Sequence, residues 1–456
     1  MRIFHTNDIH SEYENMERLS TFLKRSKTEH DLYLDSGDVG DLKSLTVIGS
    51  KGEVSATLMN YLHVDAMTVG NNESELGQEW VELMASKMPL LSCNLKNLAG
   101  EDLIGLKSSV ILTKNKIRFL IVGTSPFYGA DLKEGVYNFF LELDGLKTLE
   151  PIQQIQQEID KYKGQYDICI LVSHSGIETD EYLAKSIDTI DIIIGGHSHT
   201  QLNEPLMVDN TIIVQAKSYA EYIGCLEFEY VENKITDLSY QLISLEGEEK
   251  DKAFKEQVEL CNEEAIKQLN LPVAHIECLD FDLIHECHLV NFICDALKEM
   301  YPCDLSLIYH GIVSHQLVGD ISKMDLIECS PSKLNPTFIK AKGKQIRDAF
   351  ELSLDVDYCM QSGRGPGFRG DKLGTLGFSS NVKIINNQLF IDGKELDDNQ
   401  EYSIMIDDYL QRGARYPSLK TQEKDAKFFK GFIRDVIEEN LRNQRCFELC
   451  RIKRRT

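Results

Sequence analysis

Along the first 245 residues, eight short apolar runs alternate with helical patterns, and five of them end in the same way. Where the run stops, a residue able to bind metal follows at once. Ile3-Phe4 leads to Asp8-Ile9-His10, and Leu32-Tyr33-Leu34 leads to Asp35-Ser36-Gly37-Asp38. Met67-Thr68-Val69 leads to Gly70-Asn71-Asn72-Glu73, and Ile170-Leu171-Val172 leads to Ser173-His174. Ile192-Ile193-Ile194 leads to Gly195-Gly196-His197-Ser198-His199. Strands alternating with helices predict an α/β fold with the sheet buried between helices. In open α/β sheets, ligands collect at the carboxyl ends of the strands. Five such ends in one domain therefore describe one site, assembled from distant parts of the chain.

The residue types narrow the chemistry. Asp8, His10, Asp38, Asn71, His174, His197 and His199 mix oxygen donors with imidazole nitrogens. That mixture suits Zn, Mn or Fe rather than an all-oxygen calcium site. Seven donors exceed what one four-coordinate ion needs, whereas two divalent ions sharing one carboxylate account for them all. Glycines beside Asp38, Asn71 and His197 let the backbone turn tightly there. A paired-metal site lowers the pKa of a bound water towards neutrality.

Length and charge bound the rest. At ~100–200 residues per domain, 456 residues predict two or three domains. A charged segment, 246–270, carries apolar positions at helical spacing (Phe254, Val258, Leu260, Ala265, Leu269) and reads as a linker helix. Residues 271–456 then form a second α/β domain, with a helix from about Leu289 to Met300 and a last one over Asp425–Asn443. A Gly-rich stretch, Ser362–Gly377, lies between them, and the terminal R-I-K-R-R reads as a solvated end. A net charge of −24 disfavours nucleic acid as a partner, because phosphate backbones are held by surplus Lys and Arg. No apolar run is long enough to span a membrane. After Met1-Arg2 the chain reads I-F-H-T-N-D-I-H, polar too early for an export signal. The expected location is the cytoplasm, with the 12 Cys as reduced thiols.

In the order H-T-N-D-I-H, D-S-G-D, G-N-N-E, S-H-S-G and G-G-H-S-H-T, the chain resembles the 5′-nucleotidase family of calcineurin-like metallophosphoesterases. The resemblance extends into the second half through E-C-H-L-V-N-F-I-C-D-A, G-D-I-S-K-M-D-L and K-G-K-Q-I. It implies a layered α/β/β/α sandwich over 1–245 and a 5′-nucleotidase C-terminal-type specificity domain over 271–456. By the resemblance, Asp8, His10, Asp38 and His199 hold one metal, while Asp38 (bridging), Asn71, His174 and His197 hold the other. The implied catalytic set is Asn72, Asp38 and His10, acting on a small phosphorylated substrate such as a nucleotide.

Departures from the family pattern concern the substrate. Most relatives read G-N-H-E or G-N-H-D where this chain has Asn72, and an amide cannot act as a general acid. This points to a phosphoanhydride such as a nucleotide-sugar as the alternative substrate, since its leaving group needs no proton. A metal-dependent sensor that holds a nucleotide without hydrolysing it is the alternative class. In the second domain the family's phosphate-binding Arg falls on Val313 and its first base-stacking ring on Ser332, so only Tyr409 keeps an aromatic. Such erosion looks like a divergent branch of the family, of the kind found in Firmicutes. Arg364, Arg369, Arg412 and Arg415 are the compensating cations expected to bind substrate, with Lys333 nearby.

Overall fold

The computed structural model describes residues 1–363 and 368–455. The chain divides into two compact units, Met1–Gln268 and Leu269–Thr456.

The first unit is built on two six-stranded sheets. One runs in the order Lys234–Ser244, Tyr222–Val231, Arg2–Thr6, Leu32–Asp35, Ala66–Thr68, Leu90–Leu91. The other runs Leu206–Val208, Thr211–Val214, Ile192–Gly195, Ile168–Ser173, Ile117–Thr124, Ser109–Lys114. Central strands in each sheet are parallel: Thr6 lies beside Asp35, Asp35 beside Met67, and Gly195 beside Ser173. Strands such as I-C-I-L-V are buried on both faces, which is why they read as continuous apolar runs rather than alternating ones.

Apolar side chains define the layers. Ile3, Leu34, Ile121, Ile170, Val172 and Ile194 form a core with contributions from both sheets. On the outer face of the first sheet, Phe4, Tyr33 and Met67 pack with Met16, Leu19, Leu58, Met59, Val81 and Met84 of the helices Tyr13–Ser26, Glu53–Tyr61 and Gln78–Ala85. On the other sheet's outer face, Leu120, Leu171 and Ile193 pack with Ile155, Ile159 and Leu183 of the helices Pro151–Lys161 and Ile177–Ser186. This is the α/β/β/α sandwich. Parallel strands need crossover connections, so each strand ends where the next helix begins, and the carboxyl ends share one edge.

The charged segment after residue 245 forms a helix over Lys252–Leu269. Phe254, Ala265 and Leu269 are buried, but Leu260 is 61% exposed. The buried face instead runs through Phe254, Val258 and Cys261 against the first unit's core.

The second unit has a five-stranded sheet: Leu376–Phe378, Leu305–Tyr309, Glu401–Asp407, Pro336–Lys342, Lys427–Phe428. The helix His288–Met300, buried along most of its length, packs on its core. Two sequence expectations fail here. The single last helix is broken: Lys427–Phe428 pairs as an edge strand with Thr337 and Phe338, Gly431 turns at φ 80°, and helices follow over Ile433–Asn440 and Gln444–Cys450. Asn443 starts the second by accepting the Arg445 N–H at 3.2 Å, an N-cap that stops one helix and begins another. The terminal basic run is not simply solvated either. Arg454 is 2% exposed and pairs with buried Asp295.

Candidate metal centre

At the carboxyl edge of the two sheets the backbone turns sharply, and the predicted donors occupy the turns. Asp8, His10, Asp38, His197 and His199 all have left-handed backbones, with φ between 51° and 71°. Such residues are uncommon outside Gly, although Asp and His tolerate the region better than most. Hydrogen bonds hold these turns: Asp8 N–H donates to Gly37 O at 2.9 Å and His10 N–H to Asp38 O at 2.9 Å. Gly70 is required by proximity, because a Cβ there would collide with the Asp38 carboxylate.

Two groups of donors result, Asp8/His10/His199 and Asp38/His174/His197, each with ligand atoms within 4.8 Å of one another. In the first, His199 Nε2 lies 3.3 Å from Asp8 Oδ1 and 3.1 Å from His10 Nε2. Two imidazole nitrogens facing each other at that distance need a cation or proton between them. In the second, His174 Nε2 lies 3.2 Å from Asp38 Oδ2. Asn71 Oδ1 joins this group 2.9 Å from His197 Nδ1. The groups meet at His174, whose Nε2 is also 3.8 Å from Asp8 Oδ1, while Asp38 Oδ2 is 4.0 Å from His10 Nε2. All seven donors named from the sequence are therefore brought together.

The fit to a divalent cation can be tested on His174. Its ring is completely buried, and its Nδ1 is held 2.6 Å from the Ser36 carbonyl. That contact leaves Nε2 to face the cluster, where it has no hydrogen-bond partner of acceptable geometry. A buried polar atom without a partner is costly. Here it is ringed by carboxylate oxygens, an arrangement a cation would satisfy. An imidazole ligand fixed through its other nitrogen is the usual arrangement at metal sites.

Electrostatics agree. Burial pulls the His174 pKa down, but the Asp38 and Asp8 carboxylates and the Ser36 carbonyl outweigh it and raise it to about 10. Burial likewise pushes Asp38 up, yet the nearby His174 charge and the Asn72 backbone N–H hold it at about 2. His197 is lowered to about 4 by burial and by His174. Metal-free, the centre is thus an ion pair between Asp38 and His174 beside a neutral His197.

Comparison with known proteins follows the same division. Residues 1–201 match the calcineurin-like phosphoesterases, and residues 272–421 match the C-terminal domain of 5′-nucleotidases. The chain belongs to the 5′-nucleotidase family of calcineurin-like phosphoesterases. It is 26% identical to the metallophosphoesterase YunD of Bacillus subtilis (strain 168), over 96% of this chain and 98% of that protein. It is also 26% identical to a 5′-nucleotidase of Mus musculus, over 78% of this chain and 71% of the relative. Its fold is similar to that of the NAD nucleotidase of Haemophilus influenzae (TM-score 0.58, 17% identity, 97% and 96% of the two chains). The 5′-nucleotidase precursor of Thermus thermophilus is comparable in fold (TM-score 0.55, 18% identity, 97% and 96% covered).

As a member of this family the chain is a phosphoester hydrolase of the metal-dependent kind. Its departure at Asn72 has a visible consequence. The Asn72 side chain donates to Asp38 Oδ2 at 2.7 Å, and its backbone N–H donates to Asp38 Oδ1 at 2.8 Å. The amide that replaces the family His therefore holds the central carboxylate.

Three supporting residues escaped the sequence reading. Glu73 is buried and accepts backbone N–H groups of Asp38 (2.8 Å), Gly70 (2.9 Å) and Val39 (2.8 Å), tying two strand ends together. Burial, then the Asp38 charge, raises its pKa to about 7. Tyr137 places its hydroxyl 2.7 Å from His197 Nε2. Asp41 approaches His10 Nδ1 at 3.8 Å. Of these, Glu73 was visible as the last letter of G-N-N-E, while Tyr137 sits in a segment with no motif.

In the second unit the expected substrate residues have these surroundings. Tyr409 has no exposed surface and packs in a ring cluster with Tyr309 (5.1 Å between centroids) and Phe368 (5.4 Å). Ser332, at the position of the missing ring, accepts the Arg369 N–H at 2.9 Å. Phe368, which no motif singled out, thus supplies a second ring beside Tyr409. Arg412 pairs with Asp408 at 2.8 Å. Arg415 donates to Ser362 O at 2.7 Å and Gln361 Oε1 at 3.3 Å. The Arg369 side chain is exposed, and Arg364 lies outside the described residues.

Proposed function

We propose that this chain hydrolyses phosphate esters of nucleotides or nucleotide-like molecules, holding two divalent ions (Zn, Mn or Fe) between Asp8, His10, Asp38, Asn71, His174, His197 and His199. The observation that carries the reading is the fully buried His174 Nε2, set 3.2 Å from Asp38 Oδ2 and 3.8 Å from Asp8 Oδ1 at the meeting point of two donor groups. Divalent ions at such a site polarise phosphoryl oxygens and supply a water nucleophile near neutral pH. The chain's own contribution is positioning. Asp38 stands between the two groups, with Glu73 fixing its backbone and Asn72 its oxygens. Tyr137 restrains His197. Nucleotide substrates are supported by the names of relatives such as the Mus musculus 5′-nucleotidase. In the C-terminal unit, Tyr409 and the cations Arg364, Arg369, Arg412 and Arg415 remain the proposed substrate-binding residues, with Tyr409 packed against Phe368 and Tyr309. The twelve free thiols support a cytoplasmic setting.

Phosphate release from a panel of nucleotides with Mn²⁺ tests the reading on wild type and Asp38→Ala. Release by wild type alone supports it. Equal release by both, or none by wild type, rejects it.

A second reading concerns the leaving group. With its amide committed to Asp38, Asn72 has no proton to deliver, which favours a leaving group that departs as an anion. Phosphate, with a second pKa of about 6, is one. A nucleotide-sugar would then be split faster than a nucleoside monophosphate, and AMP turnover far above that of a UDP-sugar would end this reading.

A further inference from the structure

Three of the four imidazole donors, His174, His197 and His199, stand just past the strands Ile168–Ser173 and Ile192–Gly195. A buried carboxyl and a buried amide, neither of them used so far, meet the backbone at these two strand ends. Asp180, on the helix Ile177–Ser186, has no exposed surface. Its Oδ1 accepts the hydroxyl of Ser173, the residue before His174, at 2.6 Å. Its Oδ2 faces the other strand, where a Cβ at Gly195 would collide with it. Only glycine allows that approach. The next residue, Gly196, is packed closely on the His174 ring: a Cβ there would stand 3.1 Å from His174 Nδ1 and 3.0 Å from Ser36 O. The start of G-G-H-S-H is thus gripped between the Asp180 carboxyl and the His174 ring.

Gln215, fully buried just past the neighbouring strand Thr211–Val214, continues the grip. Its Oε1 would lie 3.7 Å from a Cβ at Gly195 and accepts the Ser198 hydroxyl at 3.0 Å. Ser198 stands between His197 and His199, and its Oγ also accepts the Ile177 N–H at 3.1 Å. Asp180 Oδ2 and Gln215 Nε2 have no hydrogen-bond partner among the described residues. Buried polar atoms are nearly always paired, and local rules are broken chiefly at functional sites. We infer that Asp180 and Gln215 are positioning residues: they hold the Gly195–Ser198 turn against Ser173, and so set where His174, His197 and His199 present their nitrogens, without touching ion or substrate. The inference rests on the metal-binding reading above. Groups that orient metal ligands through a second contact govern affinity by about 10–100-fold. Burial raises the Asp180 pKa to about 7, so a neutral amide of the same shape should replace it.

The test is calorimetric titration of the metal-free full chain with Mn²⁺, which separates affinity from the number of ions bound. Wild type, Asp180→Ala, Asp180→Asn and Gln215→Ala are compared. Asp180→Ala should raise Kd at least about ten-fold with the number of ions unchanged, and Asp180→Asn should recover most of that loss. Gln215→Ala, which frees the turn from its other side, should shift Kd in the same direction and decides alone should Asp180→Ala fail to fold. At saturating Mn²⁺ the KM for p-nitrophenyl phosphate should stay that of wild type, because neither side chain meets the substrate. An unchanged Kd in the alanine variants overturns the inference. So does loss of ions at unchanged Kd, the mark of a side chain that only keeps the chain folded. No binding by wild type would sink the metal reading and this inference with it, whereas wild-type binding that the variants leave intact sinks this inference alone.

Discussion

Five of the seven donors sit at positive φ, a conformation that costs a non-glycine residue about 1 kcal/mol or more. Strain repeated at one locus is held by the surrounding hydrogen bonds, chiefly those between Asp8, His10, Gly37 and Asp38 and those accepted by Glu73. At this scale Asn72→His should raise monoester hydrolysis by on the order of 10², read as kcat on AMP. An unchanged kcat would show that the residue's only work is holding Asp38. Metal affinity should rise with pH. The metal-free His174 keeps its proton up to about 10, and a metal ligand must be deprotonated, so the ion held by Asp38, His174 and His197 displaces it. Calorimetry at pH 7 in buffers of different ionisation enthalpy should find proton release on Mn²⁺ binding, and affinity should fall as pH drops. A pH-independent affinity with no released proton would contradict this. Donor identities were legible in the sequence because each follows closely on the end of an apolar run, with a glycine beside Asp38, Asn71 and His197. Tyr137 was not, since a hydroxyl that reaches His197 across 60 residues leaves no local pattern.

Elements carry the donors only because both sheets bury their strands so fully. The continuous apolar runs in I-F-H, L-Y-L-D and I-I-I-G were enough to place each strand, and the parallel order put their ends together. Where amphipathic spacing was the sole signal, the reading was weaker. The stretch Asp425–Asn443 has helical periodicity, but pairing of Lys427–Phe428 with the sheet and the turn at Gly431 overrode it. The basic tail shows the same limit: the partner that buries Arg454 lies 159 residues away. Arg454→Ala should therefore destabilise the chain by about 3–5 kcal/mol, because it leaves the Asp295 charge buried and alone. Urea unfolding measures this. Arg454→Ala with Asp295→Asn should recover part of the loss, and no loss in the single variant would mean that Asp295 is solvated.

Taken whole, the molecule is acidic, with a net charge of −24, yet it gathers four imidazoles and two carboxylates at one sheet edge. The bulk charge says little about such a site, where bound cations set the local potential. Each compact unit has its own apolar core, and every proposed metal donor belongs to the first. Metal should therefore stabilise that unit selectively, by about 2.7 kcal/mol for each ion bound when free metal is 100 times Kd. Differential scanning calorimetry with and without Mn²⁺ should show the transition of the first unit moving and that of the second staying in place. The most direct test of the central claim is the number of ions bound per chain, by equilibrium dialysis with elemental analysis. The account predicts two for wild type and at most one for Asp38→Ala. One or none in wild type, or two in the variant, would contradict it.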